Sequence, residues 1–263
     1  METVIIELER AAAMHWRGTE EARLGDWLLR AADGFTGRAN SVLPLGDPGP
    51  PLDDALAIVT GWYRDRGLPP MISVPTPLDG TSELDDQLAK RSWPARPGPA
   101  FVMTAATSAV PARADVEVHV ADEPDVAWLR AHRYRGQSDL PPVRRQVLTS
   151  AAAQAFVSIR AEGTAVAVGR LSMAAGWAGL SAVEVDAAHR RRGLGGAITS
   201  ACCQTAAARG YDKVFLQVET DNQAARALYE RCGFEYAHRY HYRLAPPEAR
   251  RPADEAGDRR YPG

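Results

Sequence analysis

Three cysteines in 263 residues are too few for a disulfide framework. None of them, Cys202, Cys203 or Cys232, stands at metal-ligand spacing. Cys202 and Cys203 are neighbours on a predicted helix and so point in different directions. All three read as small packing residues of a reducing compartment. The six histidines are scattered without ligand spacing, and no metal is expected. No sign of charge dominates either. Acidic residues number 33 and basic residues 31, for a net charge of −2, which argues against a generic nucleic-acid binder. No run approaches the ~18 consecutive apolar residues of a membrane helix. The stretch Met1-Glu2-Thr3-Val4-Ile5-Ile6-Glu7 carries acids where a secretory signal needs basic residues. A cytoplasmic protein with no nucleic-acid or membrane partner is the expectation, and its length allows two modest domains or one large one.

The informative segment is Val183 to Tyr229. A short apolar strand, Ser181-Ala182-Val183-Glu184-Val185, runs through Asp186-Ala187-Ala188-His189 into Arg190-Arg191-Arg192-Gly193-Leu194-Gly195-Gly196. An Ala-rich helix, Ala197 to Arg209, follows, and Gly210 stops it. Strand, glycine-rich turn and helix N-terminus together aim unpaired backbone N–H groups and the positive end of a helix dipole at one point. The ligand such a turn suits is a phosphate or pyrophosphate, which glycine lets approach the backbone closely. A Walker loop is excluded, because Gly195-Gly196-Ala197 stands where Gly-Lys-Ser/Thr is required. A Rossmann turn is excluded because the third glycine is missing. The pattern that fits is Arg-x-x-Gly-x-Gly, as Arg190-Arg191-Arg192-Gly193-Leu194-Gly195.

A second block follows a buried strand, Lys213 to Val218. Asn222, Ala225, Leu228, Tyr229, Gly233 and Phe234 form Asn-x-x-Ala-x-x-Leu-Tyr-x-x-x-Gly-Phe. Two blocks in this order and separation resemble the GCN5-related N-acetyltransferases, over roughly residues 115 to 243. The resemblance implies an α/β fold with a mixed sheet and acetyl-CoA as co-substrate, with no metal. It implies CoA contacts from Val183 and Val185, on the first of two splayed strands, and from Arg190, Arg191, Arg192, Gly193, Leu194, Gly195, Gly196, Asn222 and Tyr229. The residues allow a second role for two of these. Asn222 can cap the following helix, and Tyr229 can be a helix–sheet anchor with its hydroxyl at the surface.

The chemistry implied is attack of an amine on the thioester carbon. An alkyl ammonium costs roughly 4 kcal/mol to deprotonate at pH 7, from ~1.4 kcal/mol per pH unit, so a base or a water chain is needed. By resemblance Tyr229 is the acid that protonates the leaving thiolate. Gln217 stands where some relatives carry a glutamate, and it cannot accept the proton. Glu184 and Glu219 are the candidate bases. Glu184 alternates with Val183 and Val185, so it faces either the acceptor pocket or solvent. Tyr134, Arg135 and Gln137 lie in a loop that borders the acceptor site in the resembled fold.

The first half reads as strands near Trp27–Arg30, Asn40–Leu45, Pro70–Pro75 and Phe101–Thr104, and as helices at Leu52–Arg66 and Ser82–Arg91. Their order echoes the second half. Residues 1–110 are therefore expected to be a degenerate copy of the same fold or an α+β domain. Its turn, Gly46 to Pro51, has prolines where phosphate-binding N–H groups would be needed. After a linker at Ala109–Asp115 the acetyltransferase domain is expected over 115–244. An opening strand at Val116–Val120, helices at 123–132 and 143–153, and a hairpin through Glu162-Gly163 are expected there. Residues 245–263 read as a flexible tail. The function expected is N-acetyl transfer to a primary amine of a small molecule or peptide. The alternative is a catalytically silent acyl-CoA-binding sensor or scaffold. Homodimerisation stays open.

Overall fold

A computed structural model describes residues 2–113, 116–133 and 140–246. Tyr134, Arg135 and Gln137, and the expected tail from residue 247, lie outside the described residues. In chain order the elements are α1 (Glu2–His15), β1 (Glu20–Leu24), β2 (Trp27–Ala31), α2 (Leu52–Arg64), β3 (Met71–Thr76), α3 (Glu83–Lys90), β4 (Ala100–Ala106), β5 (His119–Ala121), α4 (Val126–Ala131), α5 (Arg144–Leu148), β6 (Ala153–Ala161), β7 (Thr164–Ala174), β8 (Trp177–Val185), α6 (Leu194–Ala208), β9 (Lys213–Glu219), α7 (Gln223–Arg231) and β10 (Glu235–Leu244). They form two compact units. The first holds the chain to Ala100, Pro141–Ser150 and the chain from His238; the second holds Phe101–Leu140 and Ala151–Ala237.

In the first unit, Ile5, Leu8 and Ala12 of α1 are buried at spacings of three and four, the period of a helix face. The sequence reading leaves this helix unassigned. Ser82 caps α3 as expected, its hydroxyl accepting from the Asp85 N–H at 3.4 Å. The expected strand at Asn40–Leu45 is reduced to single bridges, Leu28 with Leu43 antiparallel and Val42 with Ile72 parallel. The reason is local. The Asn40 side chain accepts from the N–H of Ala32 and Gly34 and donates to the carbonyls of Phe35 and Thr36, so it folds the preceding loop onto itself instead of extending a ladder. The parallel bridge across α2 is nonetheless a strand–helix–strand arrangement.

The second unit carries a mixed sheet in the order β4-β9-β8-β7-β6-β5. β5 to β8 form an antiparallel meander. Its two hairpin turns, Glu162–Gly163 and Ala175–Gly176, have positive φ at both central residues, the geometry that matches strand twist. β8 and β9 are parallel and joined through α6. Small residues let α6 lie close to the sheet. A Cβ added to Gly169 on β7 would stand 2.4 Å from Ile198 Cγ2. On β7 and β6, Trp128 of α4 donates its indole N–H to the carbonyls of Val157 at 3.1 Å and Gly169 at 3.3 Å.

Two helices are shorter than the sequence reading expects. α4 begins only after Asp125, which caps it by accepting from the Trp128 N–H. α5 ends where Thr149 and Ser150 turn their hydroxyls back onto the carbonyls of Arg145 and Val147. The opening strand is likewise only His119–Ala121.

The units do not follow the two halves of the sequence. β4, which closes the first half, lies beside β9 in the second unit. β10 ends the described chain, and its residues Arg239–Leu244 pair antiparallel with Met71–Thr76 of β3 in the first unit. Each unit therefore takes in a strand from the other half, where the sequence reading placed one boundary between residues 110 and 115.

Candidate functional site

β8 and β9 are paired only from Ala178–Leu180 to Val214–Leu216. Beyond that point β8 continues to Val185 and β9 to Glu219 without pairing to each other. A bulge in β8 accounts for the parting. Ser181 faces Arg170 and Glu184 faces Val168, so three steps on β8 match two on β7. Ala182 takes φ 53° there. An extra residue bends and twists a strand, and an L-residue in the left-handed region costs ~1–2 kcal/mol, so the opening is held against local strain. Val183 and Val185 face α6: added Cβ atoms at Gly169 and Gly195 would lie 3.7 Å and 3.9 Å from their methyls. Glu184 points to the other face, as strand alternation requires.

After β8, Asp186 accepts from the Ala188 N–H at 2.9 Å and its carboxylate lies 3.3 Å from His189 Nδ1. The chain then turns through Arg191 at φ 64° into Gly193 at φ 79°. Gly193 is the residue before α6, and no side chain caps that helix. The first-turn N–H groups of this 15-residue helix therefore have no side-chain acceptor, and the dipole adds about half a positive charge at that end. Arg190 donates from Nε to the Val185 carbonyl at 3.2 Å, which ties the arginine turn to the strand end. Gly195 packs closely on α7: an added Cβ would stand 3.0 Å from Leu228 Cδ2, so that side chain would have to shift by a few tenths of an ångström.

The sequence reading missed Arg113. Its backbone N–H donates to Ser200 Oγ at 3.1 Å, and its Nη1 would lie 3.1 Å from a Cβ on Gly193 and 3.8 Å from one on Gly196. A guanidinium from outside the Arg190–Arg192 run thus stands over the glycine turn. No motif marks it, because it lies in the segment read as linker.

Tyr229 on α7 is 8% exposed, packed edge-on to Phe234. Burial raises its pKa, with Cys202, Cys232 and Glu184 adding to the effect. Burial also raises Glu184, while Arg190 and Arg133 pull it back. The Tyr229 phenol and the Glu184 carboxyl are thus both held toward their protonated forms. Gln217 and Glu219 are half-buried on the end of β9 that no longer pairs with β8. Asn222 caps α7, its side-chain oxygen accepting from the Ala225 N–H at 3.1 Å, and it is exposed. Beside Glu184 a cavity of about 300 Å³ is lined by Arg130, Arg133, Val166, Asp186 and Arg190, among others. Among the described residues no group of three metal-ligating side chains converges, and no helix is long and apolar enough to cross a membrane.

Cys202, Cys203 and Cys232 are buried and unpaired. The two on α6 pack with Ala197, Ile198 and Ala206 in the core.

A sequence model of the family described as "Probable histone acetyltransferase Rv0428c C-terminal" matches residues 3–243. The chain is 28% identical to the uncharacterized N-acetyltransferase YobR of Bacillus subtilis over 91% of this chain and 98% of that protein. A GCN5-related N-acetyltransferase structure from Kribbella flavida superposes with TM-score 0.69 at 18% identity, over 92% of this chain and 96% of that one. A tandem protein of the same fold from the clavulanic acid biosynthesis pathway superposes with TM-score 0.60 at 14% identity, over 74% of this chain and 70% of that one. The chain belongs to the Rv0428c C-terminal acetyltransferase family, within the GCN5-related N-acetyltransferase superfamily.

Proposed function

We propose that this protein transfers an acetyl group from acetyl-CoA to a primary amine by direct attack, and that it does so in the cytoplasm. The observation that carries the reading is the parting of β8 and β9 after Leu180 beside the uncapped N-terminus of α6. An extended pantetheine arm needs unpaired strand backbone, and a diphosphate needs unpaired N–H groups, and the two lie at one end of the sheet. In this reading Val183 and Val185 line the arm. Arg191, Arg192, Gly193, Leu194, Gly195 and Gly196 receive the diphosphate. Arg190 and Arg113 add charge, and Asn222 orders α7 beneath the sulfur.

The amine nitrogen attacks the carbonyl carbon, a C–N bond forms and the C–S bond breaks with its electron pair on sulfur. Tyr229 gives its proton to that sulfur. A buried phenol with a raised pKa keeps its proton until the thiolate develops. The proton lost by nitrogen passes to Glu184, directly or through water, with Glu219 the other carboxylate of the opening. The first unit serves as a non-catalytic companion, since prolines 48, 50 and 51 occupy its corresponding turn. The family's description as a probable histone acetyltransferase supports keeping peptide amines beside small amines among the candidate acceptors.

One observation favours a silent acyl-CoA-binding module: Gln217, which cannot take a proton, stands on β9 past its last pair with β8. Thiol release from acetyl-CoA across a panel of amines separates the two readings. Amine-dependent release is expected. CoA binding with no release on any amine would favour the silent module, and absence of CoA binding would defeat both.

A further inference from the structure

The cavity beside Glu184 has a charge pattern that restricts the acceptor. Its wall takes Arg130 from α4, Arg133 just beyond that helix, Arg190 from the turn, and the carboxylates Glu184 and Asp186. Among the described residues three guanidiniums stand against two carboxylates, an excess of 3 − 2 = 1 positive charge before the CoA phosphates draw on Arg190. Burial holds Glu184 toward its neutral form, which widens the excess, while Asp186 keeps its charge, held low by His189, the Ala188 N–H and Arg133. Arg190 is tied by Nε to the Val185 carbonyl. Arg130 and Arg133 make no ion pair with any carboxylate among the described residues. Exposed arginines on a convex surface would be ordinary solvated charges. These line a concavity of about 300 Å³, at the small end of the range for small-molecule sites. Low-dielectric walls with one excess sign concentrate ligands of the other sign.

We propose that the acceptor amine also carries an anionic group, a carboxylate or a phosphate, which Arg130 and Arg133 hold while the amine is turned toward Glu184. The proposal rests on the transfer reading above. It divides the labour of the cavity. Guanidinium forks suit planar or tetrahedral oxyanions. The half-buried carboxyl of Glu184 stands across from them, beside the opening between the strands. Polycationic acceptors, such as polyamines or lysine-rich peptide tails, meet repulsion at the same wall.

The test is thiol-release kinetics of the full chain at saturating acetyl-CoA with matched amines. 4-Aminobutyrate is set against butylamine, O-phosphoethanolamine against ethanolamine, and spermidine serves as the polycation. The anionic member of at least one pair should exceed its neutral partner by about ten-fold or more in kcat/KM, the scale of one charge-assisted contact. The pair that shows the preference identifies carboxylate or phosphate. Arg130→Gln and Arg133→Gln should each erase the preference and leave the KM for acetyl-CoA unchanged, while Arg133→Lys should keep most of it. Preference for the neutral amines or for spermidine would overturn the proposal. So would a raised KM for acetyl-CoA in the glutamine variants, because the cavity would then belong to the donor. Should no amine release thiol, calorimetric titration of the same anionic amines into CoA-saturated protein decides. Binding lost in Arg133→Gln supports the proposal, and no binding to the unaltered chain overturns it. Failure of CoA itself to bind is a separate result, and it removes the transfer reading.

Discussion

Replacing Gly193 tests the phosphate site through two effects that can be separated. Gly193 holds φ 79° at the start of α6. An L-residue in that region costs ~1–2 kcal/mol, with Asp toward the lower end. Its Cβ would lie 3.1 Å from Arg113 Nη1, the far end of a flexible side chain that can move aside, so crowding adds little. Gly193→Ala therefore isolates the backbone cost. Gly193→Asp adds a carboxylate close to the proposed diphosphate. Two like unit charges ~4 Å apart at an effective dielectric of about 20 repel by ~4 kcal/mol, which corresponds to ~10³-fold in Kd. Arg113 and the arginine turn would pair with the new carboxylate and reduce this to ~10²-fold. Calorimetric titration with CoA should place Gly193→Ala within about ten-fold of the unaltered chain and Gly193→Asp at least ~10²-fold weaker. Thermal unfolding of the two variants should show a similar loss, because they share the backbone term. If Gly193→Asp shows that loss and still binds CoA at full strength, the phosphates lie elsewhere.

Tyr229→Phe should lower kcat by up to ~10²-fold, the lower end of general acid catalysis, and leave acetyl-CoA affinity nearly unchanged; an unaltered kcat removes the acid assignment. Glu184 titrates above the ordinary carboxylate range because it is buried, so its contribution to stability is full below the unfolded pKa and is lost as pH rises through the folded one. Glu184→Gln should flatten the fall in Tm across that window and remove the acid limb of the kcat profile, and superimposable rate profiles would strip Glu184 of the base role. A chain cut to residues 110–246 lacks β4, the neighbour of β9. It should show no cooperative unfolding transition in urea, and a sharp transition together with CoA binding would contradict the strand's importance.

The family and the mixed sheet were legible because their signals are local. Arg190 to Gly195 and Asn222 to Phe234 are contiguous blocks, and the backbone chemistry they encode, a left-handed Gly193 and a capped α7, is decided within a few residues. The hairpin at Glu162–Gly163 was readable for the same reason. The Asn40 segment was misread because its alternation matches a strand while the asparagine amide binds back to the loop before it.

Sequence alone thus determined the strand–turn–helix unit and the order of elements around it, since short-range conformational preferences and periodic burial act within single segments. Tertiary structure alone decided which distant segments complete it. Arg113 reaches the glycine turn from a stretch with no motif of its own. Arg130 and Arg133, on and just after a helix some fifty residues earlier, line the same cavity as Glu184, and β4 and β10 each settle in the unit that the rest of their half does not form. Those placements follow from burying apolar strand faces and pairing strand edges, and side-chain order along the chain carries no record of which edge a strand will find.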